Sequence, residues 1–150
     1  MKLSALAMVL LMSCAASQTH SDGPWRIEVT TSGGLVGRGA GNYAVDSDGK
    51  ISLTTTAGRS CTFQATAGEL ARLNKLVGAA RPDAWKDSYA PENRCCDRFE
   101  YNLTLDRAGV QRTTEWIDDP LPMPADLQAI ADAIVGGPGS LRVDYGPRCQ

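Results

Sequence analysis

The sequence predicts an α+β fold: a mainly antiparallel sheet of about five strands with two helices packed on one face, in the order β-β-β(-β)-α-β-β-α. Three observations predict it. Apolar and polar residues alternate over 25–31 and over 99–105, as in strands that bury one side. Apolar residues recur every three or four positions over 66–80 and over 124–135, which is typical of amphipathic helices. Tight-turn signals such as Asp48-Gly49 separate strand segments and favour hairpins.

The first half of the chain supplies most of the predicted strands. The first strand covers 25–31, and a glycine-rich stretch then leads into an irregular second strand within 35–46. Residues 51–55 and 61–65 predict two short strand segments that pair across Ala57-Gly58.

Two helices and one hairpin complete the prediction. Thr66 and Glu69 have the spacing of a capping box, so the first helix begins there and ends before Arg81-Pro82. A loop over 83–94 follows, and then a hairpin of 99–105 with 110–117. Pro124 suits the first turn of the second helix, which Gly136-Gly137 ends.

The amino terminus has the order of an export signal with a lipid-attachment box. Lys2 precedes an apolar run of about ten residues, and Ser13 stands directly before Cys14. A membrane-spanning helix needs roughly 20 apolar residues, so this run predicts a cleaved leader. Cleavage after Ser17, without lipid, is the alternative. We expect a signal peptide at 1–13, a tether at 14–24, one domain at 25–135 and a Gly/Pro-rich tail at 136–150. No aspartate follows Cys14, so we expect the lipid on Cys14 to anchor the protein in the outer membrane, facing the periplasm.

Four cysteines remain if Cys14 carries lipid, and an even number in an oxidising compartment predicts two disulfides. Neighbouring Cys95 and Cys96 seldom pair with each other, because such a bridge strains the peptide between them. We therefore expect Cys61 to pair with one of them and Cys149 with the other, so that Cys149 holds the tail.

Composition argues against several classes of function. The net charge is −2 and no basic stripe occurs, so a nucleic-acid partner is not expected. The single histidine, His20, lies in the predicted tether, which argues against a metal site and against a histidine-activated nucleophile. Glu100 and Glu115 belong to the polar side of their strands. We expect no enzyme activity and no cofactor.

Three sequence features together resemble a known family. Arg26-Ile27-Glu28-Val29 runs into Ser32-Gly33-Gly34-Leu35-Val36-Gly37, and Leu70, Leu73, Leu76 and Val77 share the first helix. Asp97-Arg98-Phe99-Glu100-Tyr101-Asn102-Leu103 forms the central strand, before a Pro-rich link and the last helix. Over roughly 25–135 this arrangement resembles the emfourin-like family, small protein inhibitors of thermolysin-like zinc metallopeptidases.

The resemblance implies a protein-binding module that inhibits such a peptidase. An inhibitor of this kind needs an exposed apolar anchor on a rigidly held loop. Leu35, flanked by Gly33, Gly34 and Gly37, is the first candidate anchor, and Trp85 and Tyr89 on the 83–94 loop are the second. The alternative is a structural envelope lipoprotein of similar fold that binds another surface protein and inhibits nothing.

Overall fold

A computed structural model describes residues 23–34, 40–93, 97–118 and 120–149. It contains one six-stranded antiparallel sheet with the strand order β4-β3-β2-β1-β5-β6. The strands are β1 (Trp25–Gly33), β2 (Asn42–Asp46), β3 (Lys50–Thr54), β4 (Ser60–Gln64), β5 (Phe99–Arg107) and β6 (Val110–Ile117). The predicted α+β class is confirmed. The strand count exceeds the predicted five because both segments around Ala57-Gly58 are strands.

In the described part of the chain, three helices accompany the sheet: α1 (Ala67–Ala79), α2 (Ala125–Val135) and α3 (Leu141–Tyr145). Short 3₁₀ turns follow at Pro82–Ala84 and Gly146–Cys149. The capping box of α1 is confirmed, since Thr66 Oγ1 accepts from Glu69 N and Glu69 Oε2 accepts from Thr66 N. Among the described residues, no helix combines the length and the apolar character that crossing a membrane would require.

The third helix lies in the segment predicted as a Gly/Pro-rich tail. Ser140 begins it, and its side chain accepts a hydrogen bond from Val143 N at 3.3 Å. Leu141 and Tyr145 are buried against the rest of the domain. The glycines and prolines of 136–150 therefore lie on either side of a short helix. Its two buried residues are four positions apart, and a single such repeat is too short to be recognised as a helical period.

The hydrophobic core lies between the helices and one face of the sheet. Alternation along β1 buries Trp25, Ile27 and Val29, while Arg26 and Glu28 lie exposed on the opposite face. The neighbouring strands and the helices add further fully buried aliphatic side chains to this core, among them Val45, Ile51, Leu103, Leu105, Val77, Leu127, Ile130 and Ile134. Burial of each such side chain stabilises the fold by about 1.5–3 kcal/mol.

Strand β1 extends beyond its pairing with β2. Its pairing with β5 runs from Trp25↔Arg107 to Gly33↔Phe99, whereas its pairing with β2 ends at Val29↔Tyr43. The last four residues of β1 thus have a partner strand on one side only. This end of the sheet is where the chain leaves toward residues 35–39.

A disulfide joins Cys61 in β4 to Cys149, with a Cα–Cα distance of 5.8 Å across a sequence separation of 88 residues. The prediction of a disulfide is confirmed. The predicted pairing, in which Cys61 and Cys149 each bond to one of Cys95 and Cys96, is wrong, because Cys61 and Cys149 bond to each other. The last 3₁₀ turn lies beside the edge strand β4, and no local spacing reveals that proximity. Cys14, Cys95 and Cys96 lie outside the described residues.

Candidate partner-binding site

The predicted anchor loop leaves and rejoins the sheet at a point that Thr31 holds together. We call residues 31–34 and 40–42 the loop base. Thr31 Oγ1 donates to Gly41 O and accepts from Ala40 N, both at 2.6 Å, while Thr31 N donates to Asn42 Oδ1 at 3.1 Å. These hydrogen bonds join the two segments just beyond Val29↔Tyr43, the last residue pair between β1 and β2. One side chain therefore ties the outgoing strand to the returning one.

Gly33 and Gly34 complete the loop base, and both have left-handed backbone with φ of +75° and +72°. Gly34 N donates to Arg98 O at 2.9 Å. A Cβ atom on Gly33 would lie 2.3 Å from Arg98 O, and one on Gly34 would lie 2.6 Å from the Phe99 ring. Strand β5 approaches so closely that no larger residue fits without displacement.

Asp118 holds the start of β5, which lies against these glycines. Its carboxylate accepts from Phe99 N at 3.0 Å and from the Tyr101 hydroxyl at 3.2 Å. Its backbone carbonyl accepts from Arg98 Nη1 at 3.0 Å, and its N–H donates to Phe99 O at 3.0 Å. The segment that packs on Gly33 and Gly34 is therefore fixed on its far side as well.

Tyr101 is the buried member of this network. Burial, more than any other cause, raises the pKa of Tyr101, and the Asp118 carboxylate raises it further, while the Arg142 guanidinium opposes both. Its ring stacks on Trp116 at 5.2 Å between centroids with an interplanar angle of 4°. Because the hydroxyl stays protonated at neutral pH, it remains a donor to Asp118.

Two of the predicted anchors are buried, which corrects that expectation. Trp85 and Tyr89 are each 3% exposed, so neither offers an apolar surface to a partner. The indole Nε1 of Trp85 donates to Asp126 Oδ2 at 3.1 Å, and the Tyr89 hydroxyl accepts from Lys86 N at 2.9 Å.

The segment that carries these two aromatic residues lies along the free edge of β6. Tyr89 N donates to Glu115 O at 2.8 Å, and Glu115 N donates to Asp87 O at 2.9 Å. Residues that were predicted to form a binding loop thus cover a sheet edge.

Leu35, the first candidate anchor, lies outside the described residues, while Gly33 and Gly34 lie in the loop base. Sequence reasoning missed Thr31 and Asp118 as the residues that fix this base. Asp118 directly follows the predicted strand 110–117, and its short carboxylate side chain, able to accept from backbone N–H groups, is the signal that could have indicated its role. No sequence signal identified Thr31, because its role depends on where β2 begins.

The described residues contain no group of three or more histidine, cysteine, aspartate or glutamate side chains placed to hold a metal ion. The chain matches no protein-family model, no curated protein and no solved structure.

Proposed function

We propose that this protein is an envelope-anchored, protein-binding lipoprotein that inhibits thermolysin-like metallopeptidases through the loop between Gly33 and Gly41. The observation that carries the proposal is the loop base. Thr31 ties the two ends of the loop together, and Arg98 and Phe99 in turn pack against Gly33 and Gly34. A scaffold that fixes both ends of a short segment lowers the entropic cost of binding through it.

The hydrophobic pocket of the proposed target peptidases suits the apolar side chain of Leu35. Thermolysin-like peptidases resemble one another in having a hydrophobic side-chain pocket beside the zinc ion. Leu35 is the apolar residue that directly follows the paired glycines in sequence. In this proposal Leu35 fills the pocket, and Gly33 and Gly34 permit the close backbone approach.

The Cys61–Cys149 disulfide supports the location in the envelope. Disulfides form and persist in oxidising compartments such as the periplasm, whereas cytosolic thiols are kept reduced. Export by the leader and lipid on Cys14 are the remaining parts of the proposal, and both rest on the Ser13-Cys14 box.

The test is an inhibition titration with oxidised protein carrying residues 15–150. We expect stoichiometric loss of cleavage of a small substrate by a thermolysin-like peptidase. Leu35→Asp should abolish inhibition and leave the melting temperature nearly unchanged, since a carboxylate cannot enter an apolar pocket without a large desolvation cost. Val110→Asp is the matched control, because Val110 is 69% exposed in the β5–β6 hairpin at the opposite end of β5.

Two results would count against the proposal. A large drop in melting temperature for Leu35→Asp would make Leu35 a core residue. No inhibition by a folded, oxidised sample in micromolar excess would reject the inhibitor and favour a structural lipoprotein with another protein partner. That alternative predicts membrane fractionation with no effect on proteolysis.

A further inference from the structure

A groove of about 440 Å³ separates the β3–β4 hairpin from the C-terminal segment. We call it the arginine groove, because Arg59 lines it from the hairpin and Arg142 from α3. The buried side chain of Leu53 and residues Ala57 and Pro147 supply apolar surface, and Thr55 and Tyr43 supply hydroxyl groups. Its size falls within the range of small-molecule sites, which run from about 300 to 1,000 Å³.

Both walls of the arginine groove are fixed by the fold. The hairpin turn is closed by Thr55 N donating to Arg59 O at 2.8 Å and by Arg59 N donating to Thr55 Oγ1 at 3.2 Å. The opposite wall is tied to β4 by the Cys61–Cys149 disulfide, and Cys149 itself lines the groove. The two arginines therefore project from backbone whose separation a covalent bond maintains.

The charge in the groove has one sign. No lining residue is acidic, and among the described residues no carboxylate forms an ion pair with Arg59 or Arg142. By contrast, Arg26 is paired with Asp46 at 2.7 Å and Arg112 with Asp87 at 2.9 Å. The lining of the groove thus holds two guanidinium groups and no carboxylate.

Arg142 carries its charge close to two tyrosine hydroxyl groups. That charge opposes the rise that burial causes in the pKa of Tyr43 and of Tyr101. A guanidinium has five N–H donors in a planar fork, so it can donate to two oxygen acceptors at once. Such a fork matches the two oxygens of a carboxylate or a phosphate.

We propose that the arginine groove binds a small organic anion, whose carboxylate or phosphate group is held by Arg142 and Arg59 and whose apolar body contacts Ala57 and Pro147. Ala40 of the loop base also lines the groove, but the proposed anion binding does not depend on the peptidase-binding role of Leu35. The alternative is that Arg59 and Arg142 are solvated surface arginines without a specific ligand, and an anion titration distinguishes these two roles.

The experiment is an NMR titration of the purified, oxidised protein at constant ionic strength. The probes are phenylacetate and phenyl phosphate, which differ in the anionic group, and benzyl alcohol, which has none. We expect saturable shifts in the side-chain resonances of Arg59 and Arg142 and in the amides of residues 55–59 with either or both anions, and none with benzyl alcohol. The ratio of the two affinities distinguishes a carboxylate ligand from a phosphate ligand.

Arginine variants decide whether the groove is the site. Arg142→Gln should weaken anion binding about tenfold or more, because it removes a charged donor pair. Arg59→Gln should weaken it as well, and since Arg59 is exposed this variant tests the site even if Arg142→Gln disturbs α3. Arg81→Gln is the matched control, because Arg81 is an exposed arginine at the end of α1 that does not line the groove.

The control variant should bind the anions within twofold of the wild type. Shifts that do not saturate, or that all three variants reduce equally, would show general charge attraction and overturn the proposal. Absence of shifts at millimolar probe would overturn it too.

Discussion

At the scale of single residues, Gly33 and Gly58 have nearly the same backbone but different surroundings. Both have positive φ, of +75° and +80°, in the left-handed region that L side chains rarely adopt. A Cβ on Gly58 would meet nothing within 4 Å, whereas one on Gly33 would lie 2.3 Å from Arg98 O. Comparing the two glycines therefore separates backbone strain from steric exclusion.

We predict that Gly58→Ala lowers the free energy of unfolding by about 1 kcal/mol, the cost of the left-handed conformation alone. Gly33→Ala should cost about 1–3 kcal/mol more, because the Arg98 carbonyl must move to accommodate the methyl group. Urea unfolding of both variants measures the difference. Equal losses would mean that β5 does not pack closely on the loop base.

Trp85 and Tyr89 show why aromatic residues in a loop are ambiguous in a sequence. Both lie after the helix end at Arg81-Pro82, in a segment that predicts a loop and gives no indication of whether its aromatic side chains are exposed. In the structure Asp126 accepts from the Trp85 indole N–H, and the edge of β6 pairs with the backbone around Tyr89, so both side chains are buried. Those partners are 26 or more residues distant in sequence.

At the scale of secondary-structure elements, Asp126 joins the end of α1 to the start of α2. Its Oδ2 accepts from Arg81 N at 2.8 Å and from Trp85 Nε1 at 3.1 Å. Burial is the largest single effect on the pKa of Asp126, and it raises that pKa. The hydrogen bonds from these N–H groups and from the backbone of α2 together outweigh it, so the pKa lies below the usual 3.8. The ionised carboxylate thus stabilises the contact between the two helices.

We predict that this contribution is present above pH 3.8 and is lost as the pH falls through the lower pKa of the folded state. Asp126→Asn, which cannot ionise, should cost about 1 kcal/mol at pH 7 and should flatten the fall in stability below pH 4. Asp126→Ala should cost more, about 1–3 kcal/mol, because it leaves the buried indole N–H of Trp85 without this acceptor. Denaturant unfolding between pH 2 and pH 7 measures both effects, and an unchanged acid profile in Asp126→Asn would contradict the assignment.

At the scale of the whole molecule, the disulfide attaches the C-terminal segment covalently to the edge of the sheet. Cys61 lies in the edge strand β4 and Cys149 at the end of the last 3₁₀ turn, 88 residues later. Between them, the Tyr145 hydroxyl donates to Glu69 Oε2 at 2.7 Å, so α3 is also joined to the capped end of α1. Covalent and polar contacts together hold one wall of the arginine groove.

We predict that Cys61→Ser combined with Cys149→Ser lowers the free energy of unfolding by about 4–5 kcal/mol. The estimate follows from the entropy that a closed loop of this length removes from the unfolded chain. Denaturant unfolding under oxidising conditions measures the loss, and hydrogen exchange should show the largest increase in α3. Disulfide mapping by mass spectrometry is the direct control, since a peptide joining Cys61 to Cys95 or Cys96 would contradict the pairing.

Local sequence patterns determined the class of this fold. Alternation over 25–31 and 99–105, the Thr66–Glu69 capping box and the Asp48-Gly49 turn act over a few neighbouring residues, so they can be recognised without knowing the rest of the chain. Only the tertiary structure decided that Cys61 meets Cys149, that Trp85 and Tyr89 are buried, and that Arg59 and Arg142 share a groove. Each of these depends on which distant surfaces pack together, and that is settled by burying the apolar surface of the whole chain at once.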